Sequence, residues 1–297
     1  MATFTRSKII LLGDSITQQA HSAELSGWGT HLADVYQRRA DVYNRGFSGY
    51  NTDWILKLLE SEEGKQDIFG LANVFCEGDR KRKKDSNKVN SESIVRHSDV
   101  SLITIFFGAN DASDSKLNPR HHIPLETFRL NLKKIVRLCH QNFGMDIKII
   151  LITPPPVDHK MRLQYQIDRY GKTNATGKLE RTLELSGLYA EAVIQVANEL
   201  NLVHLNLWKE MQAARSDWEK FLSDGLHLSR EGNIFVGKRL QQIIKDRFDD
   251  ISVNACPHTG FYGNSGSRGG QGLGKGGGVG PWHDQIDYLD SNKAFGL

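Results

Sequence analysis

The stretch Lys8-Ile-Ile-Leu-Leu-Gly-Asp-Ser-Ile-Thr17 constrains this chain more than any other. The unbroken apolar run Ile9 to Leu12 reads as a strand buried on both faces, the kind found inside a parallel sheet. It enters Gly-Asp-Ser directly. Ser15 therefore falls just past the carboxyl end of a central strand, where open α/β sheets place ligands and chemistry. Gly13 permits a tight turn, and Asp14 or Thr17 can cap a following helix. Ser15 is then held on a strand-to-helix turn with its hydroxyl outward. A lone Gly-Asp-Ser is more often an ordinary helix cap, so its meaning depends on the rest of the chain.

The rest repeats the strand-then-helix rhythm. Strands are predicted at Asp41–Arg45, Val100–Phe107, Ile147–Thr153 and Leu202–Asn206. Helices are predicted over Trp28–Arg39, around Trp54 to Leu59 with Thr52 or Asp53 as cap, from Pro124 to about Asn142, and over about Lys178–Leu200. A broken helical segment follows from Trp208 to Leu222, then a last helix over about Arg230–Arg247 capped by Ser229. This alternation means βαβ units: an α/β protein with a parallel sheet and helices on both faces. Two stretches depart from it. Residues from about 60 to 98 are polar and carry the charge run Asp79–Lys84, which reads as a flexible charged insertion rather than a nuclear-localisation or acidic-partner patch. From 251 to 297 the chain turns glycine-rich, above all between Gly260 and Gly280, and is expected to be disordered. Residues 1–250 are thus expected to form one domain.

A net charge of +3 on 297 residues gives no reason to expect a nucleic-acid partner. Cys76, Cys139 and Cys256 are odd in number and far apart, which fits neither a disulfide framework nor a zinc knuckle and favours a reducing compartment. No run approaches the about 18 apolar residues of a membrane span, and the first apolar run is too brief for a signal peptide. A cytoplasmic protein is expected.

Four polar spots lie at predicted strand ends or on that face of the sheet: Ser15, Gly49, Asn110, and Asp224 with His227. A serine hydroxyl is a weak nucleophile at neutral pH. It needs a base, and the base needs a group to fix its tautomer. His227 suits the first role and Asp224, three residues earlier, the second. Attack on an ester carbonyl puts negative charge on an oxygen. The Gly49 N–H, the Asn110 amide and the Ser15 N–H would form the oxyanion hole, each donor contributing about 10²–10³ in rate. Taken singly, each spot is a common turn or cap. The weight lies in their order along the chain and in the sequence around each.

Gly13-Asp-Ser-Ile16, Gly49, Gly108-Ala-Asn-Asp111 and Asp224-Gly-Leu-His227 resemble the four blocks of the GDSL, or SGNH, hydrolase superfamily. Asn44–Thr52, Phe106–Ala112, Ile152–Asp158 and Asp224–Ser229 look like its isoamyl acetate-hydrolysing esterase branch, and the likeness covers about residues 7 to 248 apart from the insertion. The resemblance implies a flavodoxin-like, three-layer α/β/α fold with a five-stranded parallel sheet. It implies a serine esterase acting on short-chain acyl esters with no metal or cofactor. Ser15 would be the nucleophile, Asp224 and His227 would complete the triad, and Gly49 and Asn110 would join the Ser15 N–H in the oxyanion hole. A deacetylase, thioesterase, lysophospholipase or acyltransferase would use the same residues. A non-catalytic binding protein would be expected to have lost Ser15 or His227, and both are present. The implied partner is a small-molecule ester, and an exposed edge strand would allow a homodimer.

Rival features are weaker. Ser48 lacks the spacing of a nucleophile elbow. His121-His122 and Asp158-His159 have no third metal ligand at a recognisable spacing and read as exposed loop residues. Gly232–Arg239 and Gly272–Gly277 mimic phosphate-binding loops by chance. The first reads as helix, and no strand precedes the second.

Overall fold

The computed structural model describes residues 6–70, 100–175, 177–248 and 250–251. The charge run 79–84, most of the expected insertion, and the glycine-rich tail lie outside the described residues.

Five strands form one parallel sheet in the order β2-β1-β3-β4-β5: β1 (Ser7–Gly13), β2 (Ala40–Gly46), β3 (Val100–Phe106), β4 (Lys148–Ile152) and β5 (Val203–Leu205). The apolar runs alternate between two cores, because successive residues of a strand point to opposite faces. Ile10, Leu12, Ile103, Ile105, Ile149 and Leu151 pack under α3 (Thr52–Glu60), α4 (Glu62–Phe69), α5 (Leu125–Phe143) and α7 (Leu183–Glu199). Ile9, Leu11, Leu102, Phe106, Ile150 and Ile152 pack under α2 (Trp28–Val35), α8 (Leu207–Ala214) and α9 (Arg230–Arg247). The architecture is therefore three-layer α/β/α. After β1 the chain leaves toward one face, through the short α1 (Ser15–Gln18) and α2. After β3 it leaves toward the other, through α5. The ends of β1 and β3 thus flank the topological switch point, where such sheets open a crevice.

Several local expectations are corrected. The segment read as a flexible insertion from about 60 starts with a folded helix. Ser61 caps α4 and Gly70 ends it in the left-handed conformation, with Ile68 and Phe69 buried. Asn51, not Thr52 or Asp53, caps α3, because Thr52 gives both its N–H and its hydroxyl to Asp111. The helix expected from 178 begins at Leu183, with Thr182 as its cap. A further helix beyond the expected ones is α6 (His159–Tyr170), capped by Asp158. Its sequence is polar, and Arg162 is its one buried residue. No helix among the described residues is long and apolar enough to cross a membrane.

Candidate active site

The end of β1 is built for close approach. A Cβ on Gly13 would lie 2.1 Å from Thr17 Oγ1 and 2.6 Å from the Phe106 carbonyl, so only glycine fits. Asp14 then caps α1 by accepting from the Ile16 N–H at 2.9 Å, which leaves Ser15 as the first helical residue, almost buried. Ser15 Oγ lies 2.9 Å from His227 Nε2, across 212 residues of chain.

His227 stands in the turn between Leu222 and Leu228, which pair across it. Asp224 shapes that turn. Its Oδ1 accepts from the Leu226 and His227 N–H groups at 3.0 and 2.8 Å. Its Oδ2 accepts from His227 Nδ1 at 2.8 Å and from Arg162 Nη1 at 3.1 Å. A carboxylate only accepts, so the His227 proton belongs on Nδ1 and Nε2 is left to receive the Ser15 hydroxyl proton. Gly225 has φ +82°, and a Cβ there would meet the Asp158 carbonyl at 2.5 Å and the Arg162 N at 2.6 Å. The turn is thereby pressed onto the first turn of α6. Burial works against a charge on Asp224, but the His227 ring and backbone hydrogen bonds, together with Arg162, outweigh it and hold the carboxyl well below its ordinary range.

The second half of the site follows β2 and β3. Gly49 takes φ +80° in a turn closed by the Tyr50 N–H on the Phe47 carbonyl at 3.1 Å, a conformation that favours glycine. Asn110 Nδ2 donates to the Tyr50 carbonyl at 2.9 Å, and Asn110 Oδ1 accepts from Arg181 Nη2 at 3.0 Å. Asp111 Oδ1 fastens this loop to α3 through the Thr52 N–H at 2.8 Å and hydroxyl at 2.5 Å. Asp14 and Asp111 are fully buried, and one oxygen of each has no partner among the described residues. Burial pushes the Asp14 carboxyl up to about 7 and that of Asp111 up to about 6.

The structure thus brings Ser15, His227 and Asp224 into one hydrogen-bonded line, and joins the Gly49 turn to Asn110 through Tyr50. Sequence reasoning missed Arg162 and Arg181. Each is buried, and each touches a residue it did single out. Their only signal is charge placed where the chain must fold back on the sheet. The rival features disperse. Ser48 is exposed, with its N–H on Gln18 Oε1 at 2.8 Å. His121 and His122, expected to be exposed, are half-buried and bonded to Asn118 and to the Ser113 carbonyl. Asp158 caps α6, and His159, at its first turn, accepts from the Leu183 N–H at 3.0 Å. Gly232 to Arg239 lies within α9, and Gly272–Gly277 is outside the described residues. Among the described residues no three His, Cys, Asp or Glu side chains gather in a group that could hold a metal ion.

Residues 11–233 match the model of the GDSL-like Lipase/Acylhydrolase family. A GDSL esterase/lipase of Arabidopsis thaliana is 39% identical over 243 residues, which is 81% of this chain and 86% of that protein. The isoamyl acetate-hydrolyzing esterase 1 homolog of Bos taurus is 36% identical over 244 residues, 82% of this chain and 84% of that protein. Among solved structures, a lipase/acylhydrolase from Enterococcus faecalis superposes with a TM-score of 0.53 at 27% identity, covering 81% of this chain and 96% of that one. With a flavodoxin-like sheet and the four sequence blocks at its crevice, this chain belongs to the GDSL-like lipase/acylhydrolase family and is a carboxylic-ester hydrolase.

Proposed function

We propose that the protein hydrolyses short-chain, acetyl-type esters through an acyl-enzyme on Ser15. The observation that carries the mechanism is the line Ser15 Oγ–His227 Nε2–Nδ1–Asp224 Oδ2, with contacts of 2.9 and 2.8 Å. Ser15 Oγ attacks the acyl carbon while His227 Nε2 takes the hydroxyl proton. The negative charge formed on the carbonyl oxygen is met by the N–H of Ser15, the N–H of Gly49 and Asn110 Nδ2. The Ser15 N–H is available because the first amides of a helix have no intrahelical partner. As the tetrahedral intermediate collapses, the C–O bond to the alcohol breaks and His227 returns its proton to the departing alkoxide. Water then attacks the acyl-serine, giving its proton to His227. The second collapse releases the carboxylic acid and restores the serine. Asp224 keeps the imidazole oriented throughout and stabilises its charged form.

The acetyl-type substrate class is supported by the name of the Bos taurus relative. The same reading takes residues 1–250 as the catalytic domain, needs no metal, cofactor or nucleic acid, and puts the enzyme in a reducing cytoplasm. Cys139, buried and unpaired with its thiol pushed up to about 12 by burial, fits that compartment. The outer edge of β2 or β5 would be the pairing strand of a homodimer.

The test is mass spectrometry after treatment with an organophosphate, beside a p-nitrophenyl ester series of rising acyl length and a set of acetylated sugars. One adduct on Ser15, loss of turnover by about 10⁴ or more in Ser15→Ala, and fastest hydrolysis of the acetyl ester are expected. An adduct on another serine, or unchanged turnover in Ser15→Ala, would falsify the mechanism. Preference for acetylated sugars would move the substrate to the deacetylase class.

A further inference from the structure

Arg181 takes no part in the steps above, yet it touches one of the oxyanion donors. It lies in the loop between α6 and α7, with its side chain buried. Its Nε donates to the Ala109 carbonyl and its Nη2 to Asn110 Oδ1, each at 3.0 Å, while Nη1 is paired with the Glu180 carboxylate. A guanidinium is a rigid planar fork, so these three acceptors fix its position. Glu180 in turn anchors the loop. Its carboxylate accepts from Asn118 Nδ2 at 2.6 Å and its carbonyl from the Asp114 N–H at 2.7 Å. The loop that carries Arg181 is thereby fastened to the loop that carries Asn110.

An asparagine amide has two orientations, related by exchanging its oxygen and nitrogen. In this setting only one survives. The observed orientation gives the oxygen to Arg181 and one N–H to the Tyr50 carbonyl at 2.9 Å. The reverse would face NH₂ against a guanidinium and oxygen against a carbonyl, turning both hydrogen bonds into repulsions. A cation on the amide oxygen also polarises the amide and makes its remaining N–H a stronger donor. Tyr50 accepts one of the two Nδ2 protons, which leaves the other for a ligand.

We propose that Arg181 is a positioning residue of the oxyanion hole, locking the Asn110 amide so that its second N–H faces the oxygen that gains charge in the transition state. This rests on the proposed function, with Asn110 as a donor. Arg181 itself reaches no reacting atom. Among the described residues its side-chain hydrogen bonds go to Ala109, Asn110 and Glu180.

The test is a double-mutant cycle on p-nitrophenyl acetate with Arg181→Gln, Asn110→Ala and the two combined. Asn110→Ala is expected to lower kcat by about 10²–10³. Arg181→Gln is expected to lower kcat by about 10- to 100-fold with KM within about threefold, as for an interaction that counts mainly in the transition state. The double variant should fall no more than about twofold below Asn110→Ala, because orienting an absent amide has no effect. Arg181→Lys keeps the charge and loses the fork, so it should lie between Arg181→Gln and the wild type. Losses that multiply in the double variant, or wild-type kcat in Arg181→Gln, overturn the proposal. If Arg181→Gln does not fold, Arg181→Lys carries the same cycle. If neither folds, the wild type decides. The Asn110 side-chain amide, assigned by its disappearance in Asn110→Ala, must show a ¹⁵N order parameter near the rigid value of about 0.85, and one below about 0.6 overturns the proposal. A wild type that neither hydrolyses esters nor takes an organophosphate on Ser15 would instead refute the proposed function.

Discussion

Asp224→Asn exchanges a single atom and tests the whole proton path. Asp224 accepts four hydrogen bonds, two on each oxygen. The two on Oδ1 come from backbone amides that can only donate, so the one oxygen of an asparagine must stay with them. Its NH₂ then faces His227 Nδ1 and Arg162. Arg162 cannot give up a proton, but His227 can move its own from Nδ1 to Nε2 and accept from the new amide. Nε2 then donates toward Ser15 and can no longer take the hydroxyl proton. The same exchange in the serine-protease triad leaves the geometry intact and lowers kcat about 10⁴-fold, which at 1.36 kcal/mol per decade is about 5.5 kcal/mol of barrier. A loss of that size is expected here, with KM little changed, measured on p-nitrophenyl acetate beside circular dichroism to confirm the fold. A folded Asp224→Asn enzyme within tenfold of wild-type kcat would mean that Asp224 does not set the tautomer.

Two further outcomes follow from the same geometry. The folded protein holds the Asp14 carboxyl up at about 7, against about 3.9 in an unfolded chain. Between these values the native state binds the extra proton, so its stability falls as pH rises. The melting temperature of wild type should therefore drop relative to Asp14→Asn from pH 4 to about 7 and run parallel above it. A constant difference over that range would count against the buried charge. Gly225→Ala places a side chain at φ +82° with its Cβ 2.5 Å from the Asp158 carbonyl. The strained backbone alone costs about 1–3 kcal/mol, and the clash must also push the Asp224–His227 turn off α6, so both melting temperature and kcat should fall. A variant that melts and turns over like wild type would show that the turn does not depend on that contact.

The architecture was legible wherever burial on both faces writes itself into a strand. Ile9–Leu12, Val100–Phe107 and Ile147–Thr153 carry an apolar signal that needs no knowledge of their neighbours. Ser15, Asn110, Asp224 and His227 were legible for a different reason: each reads singly as a common turn or cap, and only the resemblance of the four blocks, in their order along the chain, to those of the GDSL superfamily singled them out. What escaped depends on partners far away in the chain. Helix α6 is polar over most of its length and gains its place from the turn at Gly225 and from Asp224. Arg162 and Arg181 look like surface charges until the fold supplies their acceptors 62 and 71 residues away. Thr52 has the composition of a helix cap, and an aspartate 59 residues later claims it. Helix α4 is short, polar, and betrayed only by Ile68 and Phe69 at its end.

The separation of 212 positions between Ser15 and His227 has a consequence for folding. In the proposed mechanism the nucleophile hangs on β1 and the base just ahead of α9. On that mechanism neither half of the polypeptide turns over an ester alone, and closing so wide a span comes late, after the entropy of nearly the whole chain has been surrendered. Catalysis regained after dilution from denaturant should thus report completed molecules only, trailing every spectroscopic signal of helix formation.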